Sequence, residues 1–249
     1  MRVVGKAAGI SLLAPSDAYF SYFNSPYTGH KQGAAIDIYP QPQKWGCILP
    51  SPISGIVSRI RKVKMGKAKE FPTESYDFGI GIDAEDSDDY LVRVMHARPE
   101  VREGDTVEAG EPIGRTIRSR YFNYWTGPHY HVEVLKKHDF HRSTQSVPLT
   151  VNAERLVAII KESSSELECL VHSVTPDQVV VSSPHSPFGK SGDLYGHLAM
   201  TQNGPPIGLL DAGLPHYAHG GIIADSDVYE SNIVHGWQTV SYFCRLTRA

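Results

Sequence analysis

The sequence predicts a mainly β protein whose strands pair in an antiparallel way over residues 1–150. Two observations carry this prediction. Short apolar runs of strand length follow one another through this part of the chain. The segments between them are rich in glycine and proline, of which the 249-residue chain holds 22 and 17. Short strands at regular spacing, separated by turn residues, are typical of a β-sandwich or a barrel.

Six runs carry the strand prediction, because each combines apolar residues with the length and flanking turns of a strand. In chain order they read AAIDIYP at 34–40, GIVSRIRKV at 55–63, FGIGIDA at 78–84, YLVRVMH at 90–96, EPIGRTI at 111–117 and HYHVEVL at 129–135. The segment GDTVEAGEPIG at 104–114 reads as a turn-rich hairpin, since its glycines permit tight turns. Residues 1–150 are therefore expected to form one β-domain.

Residues 151–249 are expected to form a smaller C-terminal α+β extension whose role the sequence does not indicate. Asn152 is suited to an N-cap, and apolar residues recur after it at helical spacing, which predicts a helix over 152–163. Two runs of strand character follow at 167–174 and 178–183. Residues 184–221 are rich in glycine, proline and polar groups, so they are expected to form a long surface loop.

Composition excludes several classes of function. The net charge of −3 leaves no basic field to hold nucleic acid. The longest apolar run is far shorter than the ~18 residues that a membrane span needs. Three widely spaced cysteines without a CxxC pair argue against a disulfide scaffold and a cysteine zinc knuckle. No signal peptide is visible, so the sequence alone predicts a cytoplasmic protein.

The stretch GPHYHVEV at 127–134 is the first candidate for a site. Alternate residues of a strand point to one face, so His129, His131 and Glu133 would share a face while apolar residues fill the other. Such a pattern fits either a polar outer face or a functional site. Asp37 lies between isoleucines in a short strand, and His96 ends an apolar strand, where turn-capping and structural roles are the ordinary alternatives.

The order of these motifs resembles the lysostaphin-type zinc metallopeptidases, which are endopeptidases of peptidoglycan cross-bridges and stems. The resemblance covers residues 28–135 and rests on H…AIDI…PISGIV…VRVMH…GDTVEAGEPIG…GPHYHVEV. It implies an antiparallel two-sheet β-sandwich with the duplicated hybrid motif, a Zn²⁺ cofactor, and a peptide or peptidoglycan-like substrate. The family is usually exported, which contrasts with the absence of a visible signal peptide.

Carried over residue by residue, the resemblance implies that His30, Asp37 and His131 bind zinc. Two imidazoles and one carboxylate are a standard catalytic zinc set with a position left open for water. The resemblance also implies that His96 and His129 assist catalysis. Six residues separate His30 from Asp37, where the family usually has three. Either a longer flexible loop, TGHKQG, brings His30 back to the site, which is the expectation here, or His30 is not a ligand and the site is degenerate.

Other residues receive expectations around this site. Glu133 is expected either to hydrogen-bond an imidazole behind the metal ligands or to be solvated. Tyr121, Tyr124 and Trp125 are expected to line the substrate groove or to pack the sheet edge. The segment 184–221 is expected to lean over the groove and exclude water, and His216 or His219 within it could reach the site.

Two alternatives to an amide hydrolase remain open at this point. The fold could serve as a non-catalytic binding or regulatory module with a degenerate metal site. A phosphohistidine carrier is the other alternative, because sugar-phosphotransfer domains share this sandwich topology. Asp37 beside the histidines favours zinc, and bound metal would separate the hydrolase from both alternatives.

Overall fold

The computed structural model describes most of the chain. The described residues are 1–23, 25–124, 126–160, 168–174, 179–182, 187–201, 205–214, 219–224, 233–235 and 238–240. By their contacts the residues form two compact units, the first from Met1–Phe20 and Ala34–Thr150 and the second from Ser21–Gly33 and Val151–Ala249.

The elements up to residue 150 are mostly strands, with one short α-helix and two 3₁₀ turns. They are β1 Arg2–Ala7, β2 Ile10–Ala14, β3 Tyr19–Ser21, α1 Thr28–Lys31, β4 Ala35–Tyr39, β5 Ile48–Pro50, β6 Gly55–Lys64, β7 Tyr76–Ala84, β8 Tyr90–Met95, β9 Ala97–Pro99, β10 Thr106–Val107, β11 Pro112–Thr116, β12 Tyr130–Lys136, η1 Lys137–Asp139 and η2 Ser143–Gln145. All six strands predicted from the sequence are present.

A seven-stranded sheet organises the first unit, with the strand order β10-β6-β7-β8-β12-β4-β3. A three-stranded sheet has the order β5-β11-β9, and β1 and β2 form a separate pair. The registered pairs, such as β12 with β4 and β12 with β8, run antiparallel. The predicted mainly β, antiparallel fold class is therefore confirmed.

The two faces of the large sheet differ in chemistry. One face is apolar and buried, because every second residue of its central strands is aliphatic or aromatic. These core residues are Ile36, Ile38, Ile80, Ile82, Val92, Val94, Tyr130, Val132 and Val134. The opposite face carries charged residues that are also buried; we call Asp37, Asp77, Arg93, His131 and Glu133 the polar face.

Burial of the polar face has a local cause in the segment that follows β12. Phe140 is buried and forms an apolar cluster with Leu91 and Leu135. Its ring also lies over Gly79 and Gly81 of β7, where an added Cβ would be only 3.3 and 3.0 Å from it. The chain after β12 therefore folds back over the polar face and shields its charges from water.

The described elements of residues 151–249 are strands. They are β13 Leu156–Ile160, β14 Leu170–Val174, β15 Val179–Ser182, β16 Phe188–Ser191, β17 Leu194–Thr201, β18 Pro206–Leu214, β19 His219–Ile223, β20 Ile233–His235 and β21 Gln238–Val240. One sheet has the path β13-β16-β17-β18-β19, with β20 pairing β17 and β21, and β14 pairs with β15.

The predicted helix over 152–163 is wrong within its described part, since residues 156–160 form strand β13. This strand pairs antiparallel with β16, Leu156 opposite Ser191 and Val157 opposite Lys190. β-branched residues favour strands because their side chains pack well on a pleated surface. The C-terminal extension was predicted to be α+β, but its described elements are all strands.

The predicted long surface loop over 184–221 is also wrong. The described residues of this range form strands β16, β17 and β18 and most of β19. Antiparallel pairing with neighbouring strands overrides the poor strand propensity of glycine and proline here. His185 and His216, and the side chain of His219, lie outside the described residues.

Helices play a small part in the described structure. Among the residues it covers, none of the helices has the length and apolar character that a membrane crossing requires.

Close approach of neighbouring strands constrains Gly55 at the start of β6. A Cβ at this position would press against the carbonyl oxygen of Asp83 on the paired strand. Backbone cannot yield as a side chain can, so Gly55→Ala is expected to lower the free energy of unfolding by about 1–3 kcal/mol. Gly5→Ala is the matched control, because its Cβ would meet only Leu149 at an ordinary 3.7 Å. Urea denaturation of both variants measures the difference, and equal stabilities would contradict the prediction.

Candidate metal centre

Strand register places Asp37 and His131 directly opposite each other on neighbouring strands. Asp37 lies in β4 and His131 in β12, and the two residues are Cα partners in the antiparallel ladder. Paired residues point to the same face of a sheet, so their side chains meet. His131 Nδ1 lies 2.7 Å from Asp37 Oδ1. This contact is the centre of the candidate site.

His129 lies just before β12 and faces the other oxygen of the same carboxylate. Its Nδ1 donates a hydrogen bond to the Gly127 carbonyl at 3.0 Å. Its Nε2 lies 3.1 Å from Asp37 Oδ2. The Asp37 carboxylate therefore lies between two imidazoles, one at each oxygen.

His30 supplies the third group of the predicted ligand set. One ligand atom each of His30, Asp37 and His131 lies within 4.8 Å of the other two, and all three residues are buried. His30 lies in α1, so the expected longer loop takes the form of a short helix. Its Nδ1 donates to the Tyr22 carbonyl at 2.6 Å, so a metal would bind at its Nε2.

A buried ion pair supports His131 from behind. His131 Nε2 lies 3.3 Å from Glu133 Oε1, while the other oxygen of Glu133 accepts a hydrogen bond from Arg93 Nη2. Arg93 lies opposite Glu133 in the β8–β12 ladder and also donates to Ser143 Oγ at 2.6 Å and to the Phe140 carbonyl. Glu133 is buried, and its Oε1 lies beside the His131 imidazole.

The charges of the polar face favour a cation at His131. Burial lowers the pKa of His131, but the adjacent carboxylates of Glu133 and Asp37 outweigh burial and raise the pKa to about 10. Burial raises the pKa of Glu133, yet His131 and Arg93 outweigh it and lower the pKa to about 2. Both ring nitrogens of His131 therefore face carboxylates that attract either a proton or a metal ion.

His96 has a strained backbone that Asp77 holds in place. His96 follows β8 and has a φ of +65°, a left-handed conformation that is uncommon for residues other than glycine. Asp77 Oδ1 accepts the His96 backbone N–H at 3.0 Å, and Oδ2 lies 2.8 Å from His96 Nδ1. Ser119 Oγ donates to the same Oδ2 at 2.5 Å. His96 Nδ1 is thereby the donor, which leaves its Nε2 as an acceptor.

Three imidazoles and several aromatic rings lie close together at this face. The His96 ring is 5.8 Å from that of His129 and 6.0 Å from that of His131, between centroids. Phe122 packs against both His96 and His129, at 4.8 and 4.9 Å. Tyr39 lies 4.8 Å from His129. Burial lowers the pKa of His129, an effect that the Asp37 carboxylate only partly opposes.

The three aromatic residues predicted to line a groove have different positions. Tyr121 lies beside His96, with ring centroids 5.3 Å apart. Tyr124 is 45% exposed and contacts Phe71 and Arg118. Trp125 lies outside the described residues.

Sequence reasoning missed four residues that shape the site: Tyr39, Asp77, Arg93 and Phe122. Asp77 and Arg93 interrupt otherwise apolar strands, as Asp37 does, and this signal could have identified them. Tyr39 and Phe122 carry no such signal, because aromatic residues at strand ends and in loops usually pack against the core. Only the fold brings their rings to the histidines.

The donor set fits zinc rather than a hard cation. Imidazole and carboxylate are zinc ligands, and two histidines with one carboxylate leave a fourth position open, as catalytic zinc sites do. His30 has its second ring nitrogen anchored by a carbonyl, and His131 has its second ring nitrogen beside Glu133. Such anchoring is usual for metal-binding histidines.

Comparison with protein families gives one match. Residues 11–151 match the model of the family described as "Domain of unknown function (DUF8155) N-terminal domain". No curated protein matches the chain.

Three solved structures are similar to this chain at low identity. A variant of the catalytic domain of the prophage-encoded M23 protein EnpA from Enterococcus faecalis is 20% identical, with a TM-score of 0.31, over 46% of this chain and 72% of its own. A solution structure of lysostaphin is 14% identical, with a TM-score of 0.31, over 84% of this chain and 95% of its own. The antimicrobial peptidase lysostaphin from Staphylococcus simulans is 14% identical, with a TM-score of 0.32, over 88% and 96%. These values are too low to transfer a function.

Replacement of Asp77 tests how the ring of His96 is held. In Asp77→Asn the carbonyl oxygen can still accept the backbone N–H of His96, which turns the amide NH₂ toward His96 Nδ1. A donor there favours the Nε2–H tautomer, so the ring is expected to switch tautomer. Nitrogen-15 NMR of the imidazole measures this directly. Asp83→Asn on the same strand should leave His96 unchanged, and an Nδ1–H tautomer in both variants would contradict the assignment.

Proposed function

The chain belongs to the family described as "Domain of unknown function (DUF8155) N-terminal domain". From the geometry of the site, we propose that the protein is a zinc-dependent hydrolase that cleaves amide bonds in peptides. The observation that carries this proposal is the group His30, Asp37 and His131, with two further imidazoles close to it.

His30, Asp37 and His131 would hold the metal. When bound, zinc supplies Lewis-acid activation of a water molecule and of the scissile carbonyl. The chain provides the remaining requirements itself. Burial of these three side chains removes competing water, which strengthens every electrostatic interaction within the site.

His96 and His129 are suited to proton transfer. Each has its Nδ1 anchored, His96 by Asp77 and His129 by the Gly127 carbonyl, so each offers Nε2 to the site. Burial lowers the pKa of His129, which favours the neutral imidazole that can accept a proton from an attacking water. Because Asp77 holds Nδ1 of His96, the Nε2 of this ring is placed to pass a proton to the leaving amine.

Glu133 and Arg93 fix the direction of the His131 ring. Glu133 faces Nε2 of that ring, and Arg93 holds Glu133 in place through a buried ion pair. The ring therefore keeps Nδ1 toward Asp37, where the metal would bind. Such support from behind a metal ligand typically contributes 10- to 100-fold in affinity or activity.

Two features favour a peptide substrate of the cell-wall kind. The ordered motifs over residues 28–135 resemble the lysostaphin-type endopeptidases, which act on peptidoglycan cross-bridges and stems. In addition, the half-buried Tyr39 and Tyr121 place aromatic rings beside the catalytic imidazoles. Such rings can pack against an extended peptide.

Metal content tests the ligand set. Protein purified without chelators is expected to carry about one zinc per chain, because three ligands and an open position form a catalytic site. Asp37→Asn and His131→Ala should lose it. His138→Ala is the matched control, because His138 is exposed and lies outside the cluster. Elemental analysis measures all four proteins. Absence of zinc in the wild type, even after zinc is added, would favour a non-catalytic module on the same fold.

Turnover separates the metal ligands from the proton-transfer residues. His129→Ala is expected to retain zinc but to hydrolyse peptides about 10²- to 10⁴-fold more slowly, the usual contribution of general acid–base catalysis. Release of new amino termini from peptidoglycan cross-bridge peptides measures the rate, and zinc is determined on the same samples. Loss of zinc from this variant would make His129 a ligand, and unchanged turnover would remove it from the mechanism.

A further inference from the structure

Asp211 is a buried carboxylate that has no part in the mechanism above. It lies in β18 and is 6% exposed. Its Oδ2 accepts hydrogen bonds from two successive backbone N–H groups, those of Tyr22 at 2.7 Å and Phe23 at 2.8 Å. A single carboxylate oxygen thus holds the backbone of a segment 188 and 189 residues away in the chain.

The same segment fixes the orientation of His30. The carbonyl oxygen of Tyr22 accepts the hydrogen bond from His30 Nδ1 at 2.6 Å. Tyr22 therefore donates its N–H to Asp211 and offers its carbonyl to His30. Any shift of this residue would move the acceptor that selects the tautomer of His30.

A second contact holds the segment on the same strand pair. Gly221 of β19 is the Cα partner of Asp211 in β18. The ring of Phe23 occupies the space beside Gly221, where a Cβ would collide with it. Phe23 is thus held twice, by its N–H on Asp211 and by its ring on Gly221.

We propose that Asp211 is a positioning residue for His30, acting through the backbone of Tyr22 and Phe23. The importance of His30 as a metal ligand rests on the proposed function, whereas the coupling of Asp211 to the His30 ring does not. Residues 206–214 then have a definite role, which is to orient a histidine far away in the sequence.

The charge of Asp211 supports this role. Burial raises the pKa of Asp211 to about 6, against the opposing effect of the Tyr22 and Phe23 N–H groups, so the carboxylate is ionised at neutral pH. Hydrogen bonds to an ionised acceptor are stronger than neutral ones.

The test measures the tautomer of His30 by nitrogen-15 NMR in metal-free protein. In the wild type His30 is expected as the Nδ1–H tautomer. In Asp211→Ala, which removes the acceptor of both N–H groups, a mixture of tautomers is expected, and Asp211→Asn should lie between, since its uncharged amide oxygen is a weaker acceptor. Gly221→Ala, which displaces the Phe23 ring and leaves Asp211 intact, should act in the same direction as Asp211→Ala. Leu210→Ala is the control: Leu210 packs against Ala199 and Ile222, so it tests a general loss of packing in the same strand.

Zinc affinity is then measured by chelator competition on the same proteins. Asp211→Ala is expected to bind zinc about 10- to 100-fold more weakly than the wild type, and Leu210→Ala equally tightly. Wild-type protein that binds no zinc would refute the proposed function, while the NMR result would still decide the role of Asp211. The proposal is overturned if Asp211→Ala folds and keeps the wild-type tautomer of His30. If Asp211→Ala does not fold, the same tautomer in folded Asp211→Asn and Gly221→Ala overturns it. It is equally overturned if Leu210→Ala changes the tautomer as much.

Discussion

The candidate site depends on the register between β4 and β12. Asp37 and His131 are direct partners in this ladder, and the next pair on the same face joins Ala35 to Glu133. Because side chains alternate with a period of two, a slip of one residue would turn Asp37 into the apolar core and an isoleucine toward His131. Aliphatic residues on the other face prevent this slip, so the hydrophobic core and the metal-binding geometry have the same cause.

Charge balance explains how a sheet can bury so many ionisable groups. Burial of an unpaired charge is costly, and each carboxylate of the polar face has a cationic or hydrogen-bonding partner. Glu133 is paired with Arg93 and faces His131, and Asp37 lies between His131 and His129. This arrangement leaves a preference for positive charge at His131, which is the electrostatic requirement of a metal site.

The histidines of the site share a principle in how their rings are oriented. In three of them Nδ1 is tied to an acceptor that lies outside the site: the Tyr22 carbonyl for His30, Asp77 for His96 and the Gly127 carbonyl for His129. Each then presents Nε2. His131 differs, since both of its nitrogens face carboxylates, Asp37 and Glu133. The acceptors, as much as the histidines, thus determine which nitrogen can bind a metal or move a proton.

The sequence by itself determined the strands of residues 1–150 and proposed the site histidines, because alternation along a strand and interrupted apolar runs are local signals. It did not determine residues 156–160, whose short apolar run fits a helix or a strand until pairing with β16 selects the strand. Nor did it indicate Asp77 or Asp211. Asp77 contacts His96 from 19 residues away in the chain, and Asp211 holds the backbone of Tyr22, the partner of His30, from 189 residues away. Contacts between distant segments are set by strand order and register, and these are properties of the tertiary structure alone.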